Sequence, residues 1–177
     1  MSFSARKLAW MGVLVALAIV LKLPLLSVPN VEFFTFVVFS AGYLLGMMEG
    51  LTVGIVSMSV YTSVITPYGL PPLPIALAQV VSMALIGLSG GLVSRFSRIS
   101  LFPSTLALVV VGVSGLGLTL IYDLLTNLAV AYVMGQFVPI MIAAVPFTLL
   151  HVLSNVLIFV IFTPFLLKAS RTRLWVN

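Results

Sequence analysis

The chain has no cysteine, one histidine and three acidic residues in 177, and only 6% of it is charged. Without cysteine there is no disulfide framework, no thiol nucleophile and no thiolate metal site. A soluble domain is charged at about a quarter of its positions, so this composition does not coat a water-exposed surface. The eight Lys and Arg residues give a net charge of +5, but they do not gather into the basic stripe that nucleic-acid binding uses, and no nucleic-acid partner is expected. There is no Gly-x-x-x-x-Gly-Lys-Ser/Thr loop for a nucleotide, and no His-Glu-x-x-His or acidic cluster for a metal. Ser154 or Ser82 could stand beside His151, but no Gly-x-Ser-x-Gly elbow accompanies either. The expectation is a non-enzyme without cofactor or metal.

What is present is apolar: 62% hydrophobic residues and a mean hydropathy of +1.33. This predicts an all-α integral membrane protein, a single transmembrane domain over residues 1–177. Apolar runs place six transmembrane helices at about 8–26, 32–47, 51–66, 75–93, 104–134 and 139–167. The first is read as a retained helix, because Ala16-Leu17-Ala18 lies inside the run and not after it. Lys22 is expected to snorkel outward and Pro24 to end the helix. Met48-Glu49-Gly50 reads as the tight turn of a helix 2–3 hairpin. Four prolines between Pro67 and Pro74 exclude regular structure there and predict a stiff lid or rim. Ser94 to Arg98 reads as an interfacial loop.

The basic residues fall where loops on one side are expected. Arg6 and Lys7 precede helix 1, Arg95 and Arg98 follow helix 4, and Lys168, Arg171 and Arg173 follow helix 6. The positive-inside rule then puts both termini in the cytoplasm.

Ionisable groups inside spans are functional candidates by default. Asp123 lies about eleven residues, or ~16 Å, from the outer end of helix 5, and His151 about twelve residues, or ~18 Å, into helix 6. Antiparallel neighbours therefore bring them to one level, either as a mutually satisfied pair or as ligand contacts. Asn127 and Asn155 follow at i+4, suggesting facing polar ladders. Glu32, after Asn30, opens helix 2. Gln79 and Tyr122 are further candidates, and Tyr61, Tyr68 and Phe33 are placed to line an outer cavity. Gly12 and Ala16 form a small-x-x-x-small surface suited to close helix approach; Gly87, Gly90, Gly91, Gly112, Gly115 and Gly117 suit internal packing.

Taken together, Gly12-x-x-x-Ala16-Leu17-Ala18, Pro29-Asn30-Val31-Glu32, the stretch Met83 to Leu92, Tyr122-Asp123-Leu124-Leu125-Thr126-Asn127 and His151-Val152-Leu153-Ser154-Asn155 resemble the substrate-binding S components of energy-coupling factor vitamin transporters. The resemblance covers nearly the whole chain. It implies a multi-pass protein of a prokaryotic plasma membrane that captures a vitamin or related micronutrient from outside and docks on a transmembrane T component driven by two cytoplasmic ATPases. Gly12 and Ala16 would be the docking surface, a variant of the family's Ala-x-x-x-Ala. Loops 1–2 and 3–4 would cover a substrate held by Asn30, Glu32, Tyr68, Gln79, Tyr122, Asp123, Asn127, His151 and Asn155. The Pro-Asn-Val-Glu opening and the two i, i+4 pairs are most similar to the cobalamin-type group. A self-contained channel or carrier, or a membrane scaffold, is the alternative.

Overall fold

The computed structural model describes residues 4–28, 30–66, 69–99 and 104–171. These form α1 (Ala5–Lys22), a 3-10 turn (Leu23–Leu25), α2 (Phe34–Leu45), α3 (Met47–Val60) continued by a π turn (Tyr61–Ile65), α4 (Leu73–Ile99), α5 (Ser104–Met134) and α6 (Phe137–Ser170). No strand occurs among the described residues. Among the described residues, five helices are long and apolar enough to cross a membrane, and α2 is a shorter apolar helix. The outward faces carry large apolar side chains such as Val13, Leu153, Phe165 and Ile142. Several buried positions, by contrast, are polar, among them Glu32, Ser82, Thr119 and Asn155.

Local chemistry sets the helix ends. Ser4 caps α1 by accepting from the Lys7 amide at 3.4 Å, and Pro24 falls in the 3-10 turn that closes it. One residue, Gly46 with φ 127°, separates α2 from α3, a backbone conformation that a side chain resists. Glu49 occupies the first turn of α3, where a carboxylate complements the helix dipole. It also meets Lys7 Nζ at 2.5 Å, tying the start of α1 to the start of α3.

All twelve residues of α2 are buried, enclosed by α1, α3, α4 and α6. Glycines let α2, α3 and α4 cross at backbone distance. A Cβ on Gly42 would stand 1.8 Å from the Gly87 carbonyl oxygen, and one on Gly87 would stand 2.0 Å from that of Gly50. Gly90 and Gly91 press likewise on Phe39 and Met47, and Gly115 seats the Phe159 ring. The internal-packing role expected of Gly87, Gly90, Gly91, Gly112 and Gly115 holds. It does not hold for Gly117, where an added Cβ meets nothing within 4 Å.

Several helix bounds differ from expectation. Helix 2 begins at Phe34 and ends at Leu45, so Glu32 precedes it, and Met48-Glu49-Gly50 lies inside α3; a single glycine suffices for the turn. Helix 4 starts at Leu73, because Pro74 in a first turn gives up no intrahelical hydrogen bond. It also runs on to Ile99, so the segment from Ser94 to Arg98 is helical; basic residues suit a helix C-terminus. Among the described residues of the proposed lid, 69–72 are irregular, with Gly69 at φ 77°, and 73–74 are helical. Pro67, Tyr68 and Arg173 lie outside the described residues. Helix 1 starts three residues early, at Ala5, and α6 reaches Phe137 and Ser170, whereas α5 has the expected bounds.

Candidate functional site

The connector between α1 and α2 is fastened to α6. Asn30 takes the left-handed conformation, φ 59°, which asparagine tolerates better than most residues. Its Nδ2 donates to the Phe147 carbonyl at 2.9 Å, and its own carbonyl accepts from Ser154 Oγ at 2.7 Å. These two bonds grip α6 on either side of His151 and bring Glu32 against it.

Four ionisable groups then form a chain. His151 Nδ1 lies 2.7 Å from Asp123 Oδ1, and His151 Nε2 lies 3.8 Å from Glu32 Oε1, too far for a hydrogen bond. Glu32 Oε1 accepts from Thr35 Oγ1 at 3.2 Å, and Oε2 pairs with Lys22 Nζ. The Lys22 ammonium also lies 4.8 Å from the centroid of the Tyr61 ring and 5.5 Å from that of Phe34, within cation–π reach. The Tyr122 ring meets the imidazole edge-on at 5.9 Å. Glu32, Asp123 and His151 are each buried. Glu32 lies outside the helices: burial pushes its carboxyl up, but Lys22 and His151 outweigh that and hold it below the usual carboxylate range.

Two of the chain's three acids, its one histidine and Lys22 are thus drawn to one place. Some buried polar atoms there have no hydrogen-bond partner: Asp123 Oδ2, His151 Nε2 and both amide atoms of Asn155. Such atoms are costly to leave unpaired.

Two cavities flank this chain. One, of about 260 Å³, is lined by Lys22, Asn30, Glu32 and Tyr61, with Leu25 and Val28 among its apolar walls. The other, of about 330 Å³, is a groove between α5 and α6 with Asp123, Asn127 and Thr148 among apolar residues.

The expected common level of Asp123 and His151 is therefore met by direct contact. The facing ladders are not. With antiparallel helices joined at 123 and 151, the i+4 positions diverge: Asn127 lines the α5–α6 groove, while Asn155 is fully buried one turn farther along α6. Gln79 Oε1 accepts from Thr62 Oγ1 of the π turn, at 3.4 Å, and does not join the charge chain. Tyr122 joins through its ring. Lys22 does not snorkel outward; its side chain is 17% exposed and turned in toward Glu32. Sequence reasoning missed its role, together with those of Thr35 and the Phe147 carbonyl. The available signal was an unpaired cation and an unpaired acid flanking one short connector. Gly12 and Ala16 both lie on the exposed face of α1, and a Cβ on Gly12 would meet nothing within 4 Å.

No protein-family model, no curated protein and no solved structure matches the chain.

Proposed function

We propose that the chain is a multi-pass membrane protein of the S-component type, which captures a small solute from the outer face and delivers it by docking on a T component with two ATPases. The observation that carries this reading is the chain Lys22–Glu32–His151–Asp123 beside a partly open cavity, in a bundle with apolar outer faces. Buried ionisable residues among apolar helices are functional-site candidates by default. Both termini are cytoplasmic in this reading, on the strength of the basic residues near the ends of α4 and α6 and the start of α1, and α2 completes the sixth span. The absence of a nucleotide loop fits a subunit energised by partners. The cobalamin-type group is the one that the sequence resembles most. A cavity of about 260 Å³ supports a more compact micronutrient, since pockets for drug-sized ligands run upward from roughly 300 Å³.

The direct test is mass spectrometry of small molecules released from the purified protein, together with capture of a T component and ATPases from the native membrane. Purified chain that carries no solute and recruits no ATPase would end the proposal.

A prediction about assembly follows from the open face of α1. Replacing Gly12 and Ala16 by Leu is expected to leave the melting temperature and solute binding unchanged, because neither position faces the bundle. Recovery of the T component should fall at least tenfold, since bulk there prevents close helix approach. Wild-type recovery by the double variant would refute the docking surface.

A further inference from the structure

Lys22 is the last residue of α1, and its ammonium rests on Glu32 and over the rings of Tyr61 and Phe34. A carboxylate with two aromatic faces is the chemistry that recognises an organic cation. Glu32 and Tyr61 both line the 260 Å³ cavity, as does Lys22 itself. We infer that Glu32, Tyr61 and Phe34 form a cation-binding subsite, that Lys22 holds it in the ligand-free protein, and that the solute carries an ammonium or cationic nitrogen heterocycle that takes the place of Lys22. This deepens the solute-capture reading and rests on it.

The charge count in the chain gives independent support. Glu32 and Asp123 supply two negative charges, Lys22 supplies one positive charge, and His151 supplies a second only when protonated. Among the described residues, Tyr61 and Tyr122 are the other titratable groups that face the cluster. With His151 protonated the cluster is neutral, and an incoming cation that displaces Lys22 toward the cavity mouth keeps it so. With His151 neutral the cluster carries one net negative charge, and exchanging Lys22 for another cation leaves that charge unchanged. An incoming anion leaves the cluster one or two charges negative, and drawing Lys22 to itself strips Glu32 of its partner. A buried charge without its partner is the costly arrangement in either case. The exchange needs no backbone change, because the lysine stem has four rotatable carbons and a compact head. Lys22 is followed at once by the 3-10 turn containing Pro24, where the helix has already ended.

The test uses three probes on one frame, benzylammonium, benzyl alcohol and benzoate, with the full chain in detergent. Lys22→Ala is expected to melt earlier than wild type, and benzylammonium is expected to restore the melting temperature while the alcohol and benzoate do not. Lys22→Met serves if the alanine variant does not fold. Lys22→Ala/Tyr61→Leu, in which no lysine competes for the ring, should bind benzylammonium about fivefold more weakly than Lys22→Ala, with no change for benzyl alcohol. Equal rescue by all three probes, or rescue by benzoate alone, overturns the cation assignment. Binding of the alcohol or benzoate that Asn30 or Glu32 variants weaken, with none for the amine, overturns it too but leaves solute capture standing. If no probe binds any variant, the subsite is overturned, and the solute-capture reading is then judged separately by the mass spectrometry of co-purifying molecules.

Discussion

Gly87→Ala is expected to leave little folded protein. The new Cβ would stand 2.0 Å from the Gly50 carbonyl oxygen and 2.4 Å from its carbon, both backbone atoms of α3, so no side-chain rotation relieves the clash. The helices α3 and α4 must part, and with them α2, since Gly42 also rests on the Gly87 carbonyl. Overpacking of this kind costs about 3 kcal/mol or more, well above the gain of about 1 kcal/mol from replacing a helical glycine. Gly12→Ala and Gly117→Ala are the controls: nothing lies within 4 Å of either added methyl, and both should melt at or slightly above the wild-type temperature. Size-exclusion profiles and thermal melts of the three variants give the answer. A Gly87→Ala protein that elutes and melts like wild type would mean that the three-helix crossing is looser than described.

That crossing shows where sequence reading succeeds and where it stops. Long apolar runs specify helices whatever their neighbours, so α5 falls where hydropathy puts it, from Ser104 to Met134. Gly87, Gly90 and Gly91 suggest close packing, but which helices they admit is a tertiary fact, and nothing in the local pattern names Gly42 or Gly50 as the other half of the contact. Helix ends are lost for a related reason. Pro74 and the segment from Ser94 to Arg98 look like interruptions, yet a proline in the first turn and arginines in the last are compatible with helix. At the site, equal depth brought Asp123 to His151 correctly, because depth in two antiparallel helices is arithmetic. The place of Lys22 was not legible. Its partner Glu32 is ten residues away across a connector whose path is set by Asn30 gripping Phe147 and Ser154 of α6, more than a hundred residues later.

The second large effect separates the two halves of the charge chain. Glu32 lines the 260 Å³ cavity, whereas neither Asp123 nor His151 does; these two meet each other at 2.7 Å, and His151 backs Glu32 from 3.8 Å. Glu32→Gln should therefore cost at least about tenfold in solute affinity, the equivalent of losing one charged partner in a desolvated site. His151→Gln should chiefly cost stability, about 3 kcal/mol, because it takes from the buried Asp123 carboxylate the partner that it meets at 2.7 Å. Asp123→Asn keeps an oxygen that can accept from Nδ1 and should cost less. The double variant Asp123→Asn/His151→Gln should lose less than the two single losses together, since no unpaired buried charge remains, and that non-additivity is the signature of a mutually satisfied pair. Thermal melts and calorimetric titrations of the same four preparations, run with the solute that co-purifies, measure both quantities. If folded His151→Gln and Asp123→Asn each lose affinity as steeply as Glu32→Gln, with melting temperatures near wild type, then the unpartnered Asp123 Oδ2 and His151 Nε2 are ligand contacts. The solute would then reach past Glu32 into the α5–α6 level, and the pair would belong to the binding surface and not to its support.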